Sequence, residues 1–452
     1  MRKLLSILLL LLSLSASVSA QDWPHWRGPA YDGSAEASGL PTKFDLENQM
    51  LWQADLPGPG ASTPIIIGKR MFLTSVDQDA QALLAICLDR TTGEELWIDV
   101  AGSGYRPQAN GQPAGQAVQM HNRSNYASPS AVSDGEQVIF FFGNGDLISY
   151  TLEGDRRWER NLQKDFGDFA FQWTFSASPT LLNGRVYFAV LQRDEPANNI
   201  GKDGGESFLL ALDAKDGETI YRHVRPSEAQ MESLESYATI IPYTGTDGRE
   251  EILVVGGDVV TGHNPATGEE LWRWGTWNTG NREAWWRLVP SPVVGAGVVL
   301  ACGPKGAPVC AVPLGATGLM AQDDAAWMSA GRRDPITTDV PTPLFYDGSF
   351  FVLSDLRNAI TRVNPANGEA LWSVQLPREH KWRASPTGAD DKLWLIDHGG
   401  NVHVLDADTG ETIHTVSLGD EEDTTRASIA VANSAVFVRT NRKVYCFSAD
   451  TE

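Results

Sequence analysis

The strings DRTTGEELW (residues 89–97), NPATGEELW (264–272), NPANGEALW (364–372) and DADTGETIH (406–414) are four copies of one turn-and-strand element. A second signal runs in step with it. Ser/Thr-Pro steps enter β-rich runs at STPIII (62–67), SPSAV (128–132), SPTLL (178–182), SPVVG (291–295), TPLFY (342–346) and SPTGA (385–389). YATII (237–241) and ASIAV (427–431) are weaker copies. With the proline or its equivalent as origin, eight units start at Pro64, Pro129, Pro179, Ala238, Pro292, Pro343, Pro386 and Ile429, between 43 and 65 residues apart. A repeat of this period outweighs the two or three domains that length alone suggests.

Residues 384–418 show one unit most plainly: ASPTGA, turn ADDK, LWLID, turn HGGN, VHVLDA, turn DTGE, TIHTVSL. Short alternating strands with a turn signal after each mark a four-stranded antiparallel sheet. One strongly twisted sheet cannot bury both faces alone, so each must stack on its neighbours in a ring. The expected fold is all-β: an eight-bladed β-propeller of four-stranded antiparallel blades, occupying residues 46–452 as one domain. The eighth unit stops at CFSADTE without its last strand, whereas LENQMLWQADLPG (46–58) has that strand's character. Pairing this N-terminal strand into the last blade would close the ring and leave no raw edge. Trp52, Trp97, Trp158, Trp272 and Trp372, with Tyr221 in the third unit, fall at equivalent places and are expected to dock one blade on the next.

Arg2 and Lys3, an apolar run from Leu4 to Leu14 and the small-residue site Val18-Ser19-Ala20 read as a signal peptide over residues 1–20. The run is too short to span a membrane and no cysteine follows to take a lipid, so the protein is expected to be periplasmic or secreted and monomeric. The whole chain carries −21, and losing Arg2 and Lys3 makes it −23. Such an acidic protein is a poor partner for nucleic acid or an anionic membrane. Residues 21–45, with DWPHWRGPAYDG, are expected to form a clasp in which Trp23 and Trp26 pack on the ring.

Of four cysteines, Cys302 and Cys310 flank GPKGAP in an expected hairpin, and a cross-strand disulfide is expected between them. Cys87 and Cys446 read as small buried strand residues, and no CxxC is present. No metal site is expected: His398 and His403 straddle a turn without further ligands, and the acidic run 420–423 is a solvated loop.

Strand directions alternate within a blade, so the connections between blades share one end of the ring, opposite the TGE turns. The long, chemically rich connections gather at that end. Residues placed there include Arg123, Trp173, Trp286, Arg287, Trp382, Arg383 and Arg426, with Asp355 and Asp397 from the inner hairpins. So many Arg and Trp residues on one rim of an acidic protein suggest a ligand with anionic or hydroxyl-rich groups, held by guanidinium forks and indole faces.

The TGE-x-x-W strings, the Ser/Thr-Pro starts and the count of eight resemble the pyrroloquinoline quinone (PQQ) repeat superfamily. It includes quinoprotein alcohol dehydrogenases and the BamB outer-membrane assembly lipoproteins, and the opening of the mature chain is similar to exported PQQ-like propellers. The resemblance covers nearly the whole mature chain and implies the fold, with the tryptophan string as a docking motif. The dehydrogenases add adjacent cysteines and a calcium or lanthanide site; this sequence has no adjacent cysteines, and no such ligand set is assignable in it. No cofactor is therefore expected, PQQ with Ca2+ being what the resemblance alone implies. The favoured reading is a non-catalytic scaffold binding an envelope protein or a saccharide or other anionic ligand. A PQQ-dependent dehydrogenase and a BamB-like assembly factor are the alternatives.

Overall fold

The computed structural model describes residues 21–109, 111–114, 117–118, 124–275, 277–280, 282–420 and 423–449; the expected leader at 1–20 lies outside them. Blade 1 runs Ile65–Ile67, Arg70–Asp77, Ala82–Asp89 and Glu95–Val100 in chain order, all antiparallel, and blades 2, 3, 4, 6 and 7 repeat this order. Blade 5 takes its fourth strand, Trp327–Met328, after a long insertion. Blade 8 has Ala430–Ala432, Ala435–Arg439 and Lys443–Ser448 from the C-terminal end, and its fourth strand is Met50–Asp55 with Trp52 opposite Cys446. The fold is thus an all-β, eight-bladed propeller closed by an N-terminal strand.

Burial follows position in the blade. Arg70–Asp77 and Ala82–Asp89 are buried at every interior position because blades cover both faces, while Glu95–Val100 alternates, turning Leu96, Ile98 and Val100 outward. The apolar clusters lie between blades, as where Phe72 of blade 1 meets Phe140 and Tyr150 of blade 2 around Trp97.

The docking string has a mechanism. In blades 1, 2, 3, 4, 6, 7 and 8 the register between third and fourth strands slips just before the aromatic position, as between Cys87↔Trp97 and Leu88↔Glu95. The extra residue is a β-bulge that turns the next side chain toward the neighbouring blade. There Trp52, Trp97 and Trp158 donate through Nε1 to the carbonyls of Arg90, Leu152 and Ala214 at 2.9–3.1 Å, each in the following blade. Each indole lies against the turn glycine of that blade. At Gly217 the φ of 75° alone favours glycine, and a Cβ would stand 2.6 Å from Trp158.

Tyr221 of blade 3 and Trp372 of blade 6 lie against Gly268 and Gly410 of the next blade without a hydrogen-bond partner for Oη or Nε1 among the described residues, and blades 4, 5 and 7 depart further, each for a visible reason. Trp272 is buried between blades 4 and 5, but its Nε1 donates to Glu251 of its own blade at 2.6 Å. Blade 5 offers it no glycine turn; the insertion instead lays Gly318–Met320 parallel to Glu270–Trp274 as a fifth strand. Blade 5 docks through Trp327, which donates to Pro365 O at 2.8 Å and which the string search missed. In blade 7 the position is His414, whose Nε2 lies 2.6 Å from Phe44 O. Blade 8 has no turn into its fourth strand, because that strand arrives from the other end of the chain.

The Ser/Thr of the strand starts closes a second ring. Thr63, Ser130, Ser178, Thr239, Ser291, Thr342, Ser385 and Ser428 each donate a backbone N–H to the hydroxyl of the next member, and Ser428 returns to Thr63, at 2.8–3.2 Å. This register moves two origins: Ala131 and Ile240, not Pro129 and Ala238, match the other unit starts. Each bond contributes about 1 kcal/mol, and together they hold the innermost strands at one level.

The expected Cys302–Cys310 disulfide is not formed; both thiols are free and buried. Cys310 pairs with Ala301, and Cys302 with Val309. This offset of one residue sends the two side chains to opposite faces of blade 5, toward blade 4 and blade 6 respectively.

Candidate functional site

The N-terminal segment closes the TGE end of the ring. Trp23 exchanges two backbone hydrogen bonds with Ile66 of blade 1 at 2.9 Å, and Tyr31 Oη donates to Leu181 O of blade 3 at 3.0 Å. Across the ring, Ala35 N donates to Gly388 O of blade 7 at 3.0 Å. Between these anchors Arg27, fully buried, donates to Pro386 O at 2.8 Å and Pro343 O at 2.9 Å. Those carbonyls directly follow Ser385 and Thr342, so Arg27 sits one residue beneath the hydroxyl ring.

Above this plug a cavity of about 530 Å3 opens toward the rim of long connections, with Trp26 at its inner end. Its wall carries four cations, Arg287, Lys381, Arg383 and Arg426, and among the described residues no Asp or Glu. Five members of the hydroxyl ring also face it: Ser178, Thr239, Thr342, Ser385 and Ser428.

The carboxylates stand behind the cations. Asp339 receives both guanidinium nitrogens of Arg287 at 2.8 and 2.9 Å, and Asp355 Oδ2 receives Arg383 at 3.0 Å while its Oδ1 accepts Asp339 N at 2.9 Å. Burial opposes the charge of Asp339, but Arg287 outweighs it and holds that carboxyl below its ordinary range. Burial pushes Asp355 up instead, helped by the neighbouring Asp339. This arrangement orients two guanidinium groups into the cavity. Burial also lowers the pKa of His398, whose Nδ1 is 2.7 Å from Thr425 O.

On the opposite wall Trp173 and Tyr237 are set by buried Glu235, which pairs with Arg193 and accepts Tyr237 Oη at 2.6 Å and Gln172 N at 3.0 Å. Tyr237 Oη in turn accepts Trp173 N at 3.1 Å.

Of the nine rim residues, the structure brings Trp173, Arg287, Arg383 and Arg426 to the cavity. Asp355 supports Arg383 from behind. Trp286 is half-buried against the blade 4–5 core, its backbone N–H donating to Ser233 Oγ at 2.9 Å. Trp382 is wholly buried, donating to Pro377 O at 3.1 Å beside His403. Asp397 caps the turn to Asn401 through Gly399 N at 2.9 Å and Asn401 N at 3.0 Å. These last three do not line the cavity, and Arg123 lies outside the described residues. Trp26, Lys381, Tyr237, His398 and the hydroxyls also line the wall; Trp26 was legible only as clasp packing and the hydroxyls only as strand starts.

Asp258, at the rim of blade 4, is buried, with Oδ2 accepting Asn278 Nδ2 at 2.6 Å and Oδ1 without a hydrogen-bond partner among the described residues. Burial raises its pKa from 3.8 to about 7. The fold therefore binds a proton that the unfolded chain has released, so Asp258 costs stability as pH rises from about 4 through about 7. Asp258→Asn is expected to raise the melting temperature by a few degrees at pH 8 and by little at pH 4; an equal change at both, read by calorimetry, would refute this.

The arrangement defines a blind, cation-lined propeller cavity. The family model described as "Outer membrane protein assembly factor BamB" matches residues 36–193, 168–339 and 356–452, and the chain belongs to that PQQ-repeat family. Among solved structures, a europium-containing methanol dehydrogenase aligns with TM-score 0.66 and 10% identity, covering 95% of this chain and 98% of its own. BamB from Moraxella catarrhalis gives 0.58 and 13%, covering 88% and 99%. Quinohemoprotein alcohol dehydrogenase from Comamonas testosteroni gives 0.62 and 12%, covering 95% and 81%. At these identities the likeness shows the fold. No curated protein matches the chain in sequence.

The dehydrogenase neighbours raise the question of a quinone with a metal ion. Calcium takes six to eight oxygen ligands, carboxylates among them. Among the described residues no three of His, Cys, Asp and Glu stand together for a metal, and the carboxylates behind the wall, Asp339, Asp355 and Glu235, are each engaged by arginine. The described residues do not assemble the ligands of a metal-assisted quinone centre. No helix among the described residues is long and apolar enough to cross a membrane.

Proposed function

We propose that this chain is an exported, non-catalytic propeller whose open rim binds a small anionic, oxygen-rich ligand. One observation carries the reading: in a chain of net charge −21, the central cavity presents four cations and no carboxylate among the described residues. Water-filled clefts lined by one sign of charge concentrate ligands of the other. The cavity is also of the size that holds small molecules.

Thermal shift at low ionic strength tests it. Citrate is expected to raise the melting temperature of the wild type, and the triple variant Lys381→Ala/Arg383→Ala/Arg426→Ala to need at least tenfold more citrate for the same rise. No shift in the wild type, or an undiminished shift in the triple variant, would end the proposal. Membership of the BamB-described family supports a second reading, an envelope scaffold with a protein partner. Crosslinking in cells to outer-membrane assembly components would establish that reading, and its absence with all such components present would discard it.

A further inference from the structure

We infer that the cavity takes the end of a short acidic saccharide, inserted end-on with its charge toward one wall. The inference rests on the anion-binding reading above and names the ligand's class and pose.

The pose follows from the plug. Arg27 is tied to the carbonyls of Pro343 and Pro386, and the segment carrying it is anchored on opposite sides of the ring at Leu181 and Gly388. Trp26 therefore ends the cavity, and a ligand enters and leaves by the same rim. A polymer cannot thread such a channel; it can insert only a terminus. A volume of about 530 Å3 accommodates about two or three pyranose rings.

The class follows from the wall's hydrogen-bonding sense. Ser178, Thr239, Thr342, Ser385 and Ser428 each accept a neighbour's backbone N–H. A hydroxyl that accepts still has its O–H to donate. With the guanidinium and ammonium groups, the wall offers donors in excess, and its complement is a molecule dense in acceptor oxygens that carries negative charge.

Orientation follows from which connection supplies which group. Arg287, Lys381, Arg383 and Arg426 come from the segments leading into blades 5, 7 and 8, whereas Trp173 and Tyr237 come from those leading into blades 3 and 4. A carboxylate on one edge of a sugar ring would meet the cations while the ring face meets the aromatic wall. A simple anion uses only the first half of this wall, and a neutral sugar only the second.

Isothermal titration of the full-length mature protein tests this, with galacturonate oligomers of one to five rings, neutral galactose oligomers of the same lengths, and citrate as probes. The trimeric galacturonate is expected to bind at least tenfold tighter than the neutral trimer and than citrate. Affinity is expected to level off after the third ring. Lys381→Ala, a change at an exposed side chain, should weaken the acidic trimer several-fold while leaving the melting temperature of the free protein unchanged, and Arg383→Lys should weaken the acidic trimer likewise. Citrate binding as tightly as the acidic trimer, or neutral and acidic trimers binding alike, would overturn the saccharide class. Affinity that keeps rising to five rings would overturn the end-on pose. If citrate still binds, the anion-binding reading survives these failures; if neither citrate nor any oligomer binds, both fall.

Discussion

Trp52→Ala is expected to lower the melting temperature more than Trp97→Ala, although each removes one indole from the same kind of joint. Truncating a buried Trp to Ala costs roughly 3–5 kcal/mol. Trp52 is nearly buried, fills the space against Phe437 and above Gly93, and donates to Arg90 O at 2.9 Å. Trp97 makes the corresponding bond to Leu152 O at 3.1 Å, between blades that a continuous chain already joins. The strand Met50–Asp55 belongs to blade 8 only through pairing with Lys443–Ser448, while residues 56–64 carry the chain on into blade 1; Trp52, packed on Phe437 and bonded to Arg90 O, helps fasten the C-terminal strands of blade 8 to blade 1. Loosening it opens the ring, so the loss includes the cooperativity of closure. Hydrogen exchange at residues 443–448 should accelerate in Trp52→Ala and stay slow in Trp97→Ala. Equal melting temperatures and unchanged exchange would show that closure does not depend on this strand.

Arg27→Met should be nearly as damaging, through hydrogen bonding more than volume. Arg27 is completely buried, and burial pulls its pKa down to about 10 despite Asp32. Its guanidinium satisfies the carbonyls of Pro386, Pro343 and Asp32 at 2.8, 2.9 and 3.2 Å. Methionine preserves the apolar stem but leaves these acceptors without donors, at about 1–3 kcal/mol for each group that stays buried. Partial hydration as the plug loosens sets the expected cost at roughly 3–5 kcal/mol. Trp26, which lies against Arg27 with 5.9 Å from the guanidinium carbon to the ring centroid, should become more exposed and its fluorescence shift to the red. A variant with wild-type stability and an unshifted spectrum would mean that the plug is held without Arg27.

The spacing of TGE and Ser/Thr-Pro signals was enough to specify eight four-stranded units and to place the missing strand at residues 46–58. Both are local properties: turn chemistry, alternation and an aromatic after a glycine turn are written in a dozen consecutive residues. Even the exception at His414 is consistent with that logic, since blade 8 has no glycine turn to receive an indole. The string failed only where blade 5 replaces its turn by an insertion, which hid Trp327 and gave Trp272 a partner in its own blade.

What the chain by itself determined, then, is the repeating frame: blade count, strand order, closure and, outside the joints on either side of blade 5, which aromatic meets which turn. The tertiary structure alone decided which side chains share the cavity. Trp286, Trp382 and Asp397 have the same residue chemistry and sequence position as their lining neighbours, yet the paths of aperiodic connections carry them into packing and turn-capping roles. A register offset of one residue separated Cys302 from Cys310 across blade 5, and a segment far upstream supplied Trp26. Periodicity arises from bonds between near neighbours and is legible in sequence, whereas convergence on a central channel joins residues from many separate units, and only the closed ring brings them together.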